Sequence, residues 1–298
     1  MKATEMSKPQ IIAIVGATAS GKTAYAINLA QKINGEIISA DSRLVYKGFD
    51  IGTAKPTPDE QKAVKHHLID IVEPEVDYSA GLWVKDAQNA VQEVIKKGKT
   101  PIIVGGTGLY FRLLLENYEM PDVKPDKNFR AELEKLSFDE LKQRLEKSDK
   151  AAADTIFDND KKKLIRYIEI VEKSGQTLQN ARNKSADCPY EVEWLGLNFP
   201  RTELYERINK RVDLMIEKGL IDETKNLLEK HGRIPNLVDT IGYREIIKYL
   251  DGEYDLKTAC DMLKQNSRRY AKRQLTWFRA NNKIKWNVYP EKIVGCCL

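Results

Sequence analysis

Short apolar runs alternate with amphipathic stretches through the first 115 residues. IIAIV at 11–15, EIIS at 36–39 and PIIV at 101–104 are brief and rich in β-branched residues, and each predicts a strand. Between them, 22–33 and 80–97 carry apolar residues at helical spacing. In the second stretch Trp83, Ala87, Val91, Val94 and Ile95 share one face, and Gly98 can end the helix in a left-handed turn. Strands alternating with helices predict a parallel sheet with crossover helices, because parallel neighbours need a long return connection.

From about 120 the texture changes. Pro-punctuated, Lys-rich sequence of helical period predicts a mainly helical insertion over 121–190, set into a core formed by 1–120 and 191–298. WLGLNF at 194–199 predicts a return to the sheet. Helical sequence then runs to about 280: Leu204, Ile208, Val212 and Met215 share a face, Gly219 breaks that helix, and the next ends near Gly232. In the final helical stretch Leu263, Tyr270 and Trp277 are expected to point inward.

Composition excludes several classes. A chain of 298 residues with 42% apolar and 31% charged residues can bury a large core, and no apolar run approaches the roughly 20 residues of a membrane span. The opening MKATEMSKPQ has no signal-peptide core, so a cytoplasmic location is expected. Cys188, Cys260, Cys296 and Cys297 form no CxxC pair, which argues for reduced thiols over zinc or disulfides. His66, His67 and His231 lack companions at ligand spacing and read as structural or surface residues.

The first chemical signal is Gly16-Ala17-Thr18-Ala19-Ser20-Gly21-Lys22-Thr23. It matches G-x-x-x-x-G-K-[ST] directly after a predicted strand and before a predicted helix. In that context the glycines let backbone N–H groups turn towards an anion, Lys22 adds a full charge, and Thr23 can ligate Mg²⁺. The fold class expected is therefore α/β, a P-loop-type parallel sheet with helices on both faces and a helical insertion. Nucleotide hydrolysis asks for an acid at the end of a neighbouring strand. The strand at 101–104 runs instead into Gly105-Gly106-Thr107-Gly108, with Asp70 as a substitute candidate elsewhere. That favours a loop that holds a leaving pyrophosphate. Asp41, at the carboxyl end of the strand EIIS, stands at the ligand edge of such a sheet as a base or metal ligand, with a helix cap or turn as its structural alternative.

The net charge of +5 says little until its distribution is considered. Between 264 and 285 lie eight Lys or Arg and no acid, interleaved with Tyr270, Trp277 and Phe278, with Trp286 just beyond. Arg269, Lys272 and Arg273 would form a cationic stripe suited to a phosphodiester backbone; a plain solvated face is the alternative. Lys161, Lys162, Lys163 and Arg166 make a second concentration. RNA is the favoured polymer, since its readers stack splayed bases on aromatic rings. A small-molecule kinase with a lid and a non-catalytic RNA-binding ATPase remain alternatives at this level.

Longer stretches narrow the choice. GATASGKT, ISADSRLVYKGFDIGTAKP (38–56), HHLIDIVEP (66–74), GGTGLYF (105–111), RINKRVDLMIEKGL (207–220), TIGYREI (240–246) and RRYAKRQLTWFR (268–279) resemble the bacterial tRNA dimethylallyltransferases along nearly the whole chain. Ala17 departs from the proline common in that family, and Arg43-Leu44 occupy positions often read as methionine and glutamine. The resemblance implies transfer of a dimethylallyl group from dimethylallyl pyrophosphate to N6 of the adenine 3′ of the anticodon, with Mg²⁺; a monomer is expected. It implies Asp41 as general base, with Lys22 and Thr23 at the leaving group. The implied tRNA contacts are Asp41, Ser42, Arg43, Leu44, Thr107 and the segment Lys163, Leu164, Ile165, Arg166, Tyr167, with Arg207 and Arg211 near pyrophosphate or substrate.

Overall fold

The apolar runs form strands because each is buried on both faces. The computed structural model describes residues 8–116, 118, 121, 123–156, 160–181 and 188–288; Cys296 and Cys297 lie outside them. The strands are β1 (Gln10–Gly16), β2 (Gly35–Ala40), β3 (His66–His67), β4 (Thr100–Gly105), β5 (Glu191–Leu197) and β6 (Lys285–Val288). They form one sheet in the order β3-β2-β4-β1-β5-β6, and every described pairing is parallel. All carboxyl ends therefore lie on one edge, where ligands bind in open α/β sheets. Central β1 is apolar from Ile11 to Val15 without alternation, as a strand covered on both faces requires.

Helices α1 (Lys22–Ile33), α2 (Pro58–Ala63), α3 (Ala80–Lys96) and α4 (Gly108–Leu115) accompany the first four strands. On one face Ile12 and Ile14 of β1 and Ile102 and Val104 of β4 cluster with Ala26 and Ala30 of α1. On the other face Trp83 of α3 stacks on Tyr110 of α4, with ring centroids 4.2 Å apart. Helix α3 starts where Ser79 Oγ accepts the Leu82 amide, and Gly98 follows its end with φ 68°. At the amino edge of the sheet the buried Glu36 carboxylate takes hydrogen bonds from Lys99 (2.8 Å), His67 (2.7 Å) and Lys97 (3.2 Å). Burial alone would raise its pKa, but these three partners prevail and hold it down to about 2.

After β5 the chain is helical: α9 (Arg201–Glu217), α10 (Leu220–His231), α11 (Pro235–Val238), α12 (Tyr243–Leu250) and α13 (Leu256–Arg279), the labels α5–α8 belonging to the segment below. The predicted face of α9, Leu204, Ile208, Val212 and Met215, is buried. Gly219, at φ 98°, separates α9 from α10, and Gly232 ends α10. Among the described residues no helix is long and apolar enough to cross a membrane.

Leu115–Cys188 forms a compact unit of its own. It holds α5 (Lys127–Glu134), α6 (Phe138–Asp154), α7 (Lys161–Ser174) and α8 (Leu178–Ala181) around a core of Leu133, Leu141, Leu145, Leu164 and Ile168. Glu169 is fully buried there. It is tolerated because Arg130, Arg166 and the Asp126 amide all donate to it. Asp149 interrupts α6 with non-helical dihedrals and caps the restarted turn through the Ala152 amide, while its other oxygen accepts the Leu178 amide.

Candidate active site

The loop between β1 and α1 is built for an anion. Ala19 (φ 61°) and Gly21 (φ 77°) both sit in the left-handed region, a conformation that turns successive amides inward. Gly21 stands at the N-cap of α1 with no side-chain cap, so the first helical amides keep their donor capacity for a ligand. Lys22 Nζ folds back to the Ala17 carbonyl at 2.6 Å. Ser20 Oγ is buried with no hydrogen-bond partner among the described residues, an orphan that an anion oxygen would satisfy.

Two arginines of α9 clasp this loop from the side. Arg207 Nε donates to the Ala19 carbonyl (3.0 Å), and Arg211 donates to Thr18 Oγ1 (3.1 Å) and the Thr53 carbonyl (3.4 Å). Gln274 of α13 closes it from behind. Its Oε1 accepts the Thr18 amide at 2.8 Å, and its Nε2 donates to the Gly106 carbonyl at 3.0 Å. A Cβ on Gly106 would lie 1.9 Å from that nitrogen, so the glycine is required for the approach.

Beside the loop opens a cavity of about 500 Å³ whose wall includes Thr18, Ala19, Asp41, Ser42, Arg43 and Arg211. Its depth is apolar, with Ile208, Val212, Met215 and Leu263, and its rim carries Arg244, Arg269, Tyr270 and Arg273. Asp41 is held by geometry: Oδ1 accepts the Arg43 amide at 2.8 Å, and the next residue, Ser42, donates its amide to Thr107 Oγ1 at 3.1 Å. The Thr107 amide in turn donates to Ala40 O at 3.1 Å, so the turns after β2 and β4 are stitched together. Leu44 is also in this turn region and Arg43 reaches Asn236 at 3.5 Å.

Confinement disfavours the charged forms of Lys22 and Arg211. Burial, and then the neighbouring Arg211 charge, push the Lys22 pKa down to about 7, with Asp41 acting in the opposite direction. Burial likewise lowers Arg211 to about 10 against the pull of Asp41. A site holding excess positive charge away from water gains most from a multivalent anion.

Thus residues 16–23, Asp41–Arg43 and Arg211 of the sequence expectation come together, with Arg207 behind the loop. Other expectations fare differently. Asp70 is paired with Lys55 and takes no part in the phosphate loop. In the separate helical unit Leu164 and Ile165 are core residues and Tyr167 is largely buried. Arg166 is spent on Glu169 and the Val123 carbonyl, and Lys163 bonds the Thr155 carbonyl and lies over the Tyr167 ring. Helix α7 turns Leu164, Ile165 and Tyr167 into the core of this unit.

Helix α13 corrects another expectation. Its buried row is Leu263, Ala271, Gln274 and Phe278, whereas Tyr270 is half-buried at the cavity rim and Trp277 is 46% exposed. Trp277 rests one edge of its ring against Gly108 and leaves much of the rest exposed. Lys272, Arg273 and Arg269 are exposed, while Lys264 pairs with Asp213 and Arg268 bonds Asn209.

Sequence reasoning missed Gln274 and the pair Glu223–Tyr243. Glu223 accepts the Ile51 amide (2.8 Å), the Gly52 amide (3.0 Å) and the Tyr243 hydroxyl (2.7 Å), fixing the cavity wall at Gly52 and Thr53. A lone glutamine in the apolar row of α13 was the one signal available. The three histidines are structural: His67 bonds Glu36, His66 the Val64 carbonyl and His231 Glu75.

Comparison with known proteins places this geometry. Residues 44–281 match the family model described as IPP transferase. A tRNA dimethylallyltransferase of Carboxydothermus hydrogenoformans is 47% identical over 283 residues, covering 93% of this chain and 91% of that one. One from Bacillus velezensis is 44% identical, covering 94% and 90%. Among solved structures, the full-length tRNA isopentenylpyrophosphate transferase of Bacillus halodurans superposes with a TM-score of 0.71 at 42% identity, covering 94% of this chain and 89% of that one. A eukaryotic dimethylallyltransferase described as acting on tRNA gives 0.78 at 30% identity, covering 91% and 70%.

Proposed function

Since the chain belongs to the IPP transferase family, we propose that its 500 Å³ cavity is where a dimethylallyl group leaves pyrophosphate for tRNA, with Asp41 at the nucleophile and the 16–23 loop at the leaving group. The protein is a tRNA prenyltransferase. On this reading a dimethylallyl group passes from dimethylallyl pyrophosphate to N6 of the adenine 3′-adjacent to the anticodon and pyrophosphate is released, a reading supported by relatives named tRNA dimethylallyltransferase. The observation that carries the residue assignment is that Asp41 and the phosphate loop line one cavity, with Arg211 bonded to the loop between them.

The chemistry follows from those positions. An adenine N6 is a poor nucleophile because its lone pair is delocalised into the ring. As that lone pair bonds the allylic carbon, the carbon–oxygen bond to pyrophosphate breaks and its electrons leave with the phosphate. The N6 proton passes to Asp41, acting as general base. Amides of the loop, Lys22 and Arg211 stabilise charge gathering on the departing pyrophosphate, in a site whose confinement strengthens them. The apolar depth, Ile208, Val212, Met215 and Leu263, suits the dimethylallyl tail and keeps water from the allylic centre.

Thr23, beside Lys22 at the start of α1, is the residue that would hold Mg²⁺. Such an ion takes few protein oxygens and completes its shell with phosphate and water, so one hydroxyl fits it. When bound, it would neutralise part of the pyrophosphate charge. The target base must leave its stack to reach Asp41, and Arg269, Lys272 and Arg273 would offset that cost by holding the RNA backbone.

The test is to incubate the protein with labelled dimethylallyl pyrophosphate or labelled ATP, with and without unmodified tRNA. Label should pass from the allylic donor to RNA and only when RNA is present. Phosphoryl transfer from ATP to a small molecule, with no label on RNA, would refute the reading.

A further inference from the structure

We propose that Trp277 is a stacking platform for an anticodon-loop base next to the extruded adenine, an assignment that rests on the tRNA reading above. Exposing 46% of an indole costs hydrophobic stabilisation that the rest of α13 does not forgo, since Leu263, Ala271 and Phe278 are buried. The ring is also preset in place. A Cβ on Gly108 would lie 2.1 Å from Trp277 Cδ1, so the end of the glycine turn is shaped to receive the indole.

That position adjoins the chemistry. Gly108 follows Thr107, whose hydroxyl fastens the Ser42 amide, and Ser42 follows Asp41. Among the described residues the exposed large apolar side chains are Ile71, Val76, Leu82, Leu109 and Trp277. All five lie on segments that leave, or rest on, the carboxyl edge of the sheet, and Leu109 is the neighbour of Gly108. The surroundings are cationic: Arg273 precedes Trp277 by one helical turn, Lys272 is exposed, and no acid occurs from 264 to 285. An apolar protein partner would not require that asymmetry, whereas a polyanion carrying flat bases does. Pulling one base out of a loop leaves its neighbours without a stacking partner, and a fixed indole replaces it.

The experiment compares Trp277→Ala and Trp277→Phe with the parent protein. For Trp277→Ala, KM for tRNA should rise roughly 5- to 100-fold, the scale of one lost base–aromatic stack, with KM for dimethylallyl pyrophosphate unchanged; Trp277→Phe should recover most of the loss. An anticodon stem-loop should quench the tryptophan emission that Trp277→Phe lacks. A stem-loop with an abasic site beside the target adenine should not quench it. An unchanged KM for tRNA, absent quenching, or an equal rise in KM for the allylic donor would overturn the assignment, the last because it would make the ring a prop for the glycine turn. Failure of the tRNA reading looks different: the parent protein itself would put no label on RNA.

Discussion

Gln274 accepts the Thr18 amide through Oε1 and donates to the Gly106 carbonyl through Nε2, so one buried side chain joins the phosphate loop to the glycine turn. It lies on the same helix as Arg269, Lys272 and Arg273, which ties the basic face of α13 to the phosphate loop. Gln274→Leu should remove both bonds and leave a buried N–H and C=O unpaired, costing about 1–3 kcal/mol of stability. It should also raise KM for the allylic donor. A urea midpoint and donor titration check both; a normal donor KM in a folded variant would show that the loop holds its shape alone.

Asp41→Ala should bind tRNA with near-parental affinity yet lose transfer by at least about a hundredfold, the scale expected of a general base. Single-turnover transfer and filter binding measure the two separately. Near-parental turnover would remove Asp41 from the base role.

Lys22 makes donor binding sensitive to pH. Its pKa in the free protein lies near 7, so above that pH the free amine is mostly neutral. Pyrophosphate favours the charged form, so binding above pH 7 takes up a proton, and affinity falls by up to about tenfold per pH unit as pH rises. Calorimetry near pH 8 in two buffers of different ionisation enthalpy should show close to one proton taken up, and Lys22→Met should abolish it. Heats independent of buffer would contradict the assignment.

Reversing charge at Arg269 and Lys272 together should weaken tRNA binding and flatten the dependence of log K on log salt by about one to two units, as each lost phosphate contact removes roughly 0.7–0.9. A slope equal to that of the parent would return this face to ordinary solvation.

How much of this was legible in the sequence depends on where each signal resides. Strands β1, β2 and β4 are buried on both faces, and such strands announce themselves as unbroken apolar runs. Strand β3 is only His66–His67 and β6 only Lys285–Val288, edge pairings decided by neighbours instead of by pattern. The phosphate loop was legible because eight consecutive residues carry it. The rest of the cavity was not: Glu223, Tyr243 and Gln274 come from three helices, and no local spacing links them to the loop. Helix α13 announced its charge but not its full buried row, because Gln274 is buried by its bonds to the phosphate loop and the glycine turn, which no pattern within the helix reveals.

The parallel sheet separates two kinds of failure. Its carboxyl edge carries the phosphate loop, Asp41 and the glycine turn, while its amino edge carries Glu36 with Lys97, Lys99 and His67. A lesion at Glu36 leaves Lys99 and His67 without their carboxylate partner and acts on folding, so cells would show too little protein, each copy competent. On the proposed assignment a lesion at Asp41 removes the base and only one turn hydrogen bond, that from the Arg43 amide, so cells would hold near-normal amounts of an inert enzyme. A survey of variants that scored abundance and modification separately would therefore sort along the strand axis.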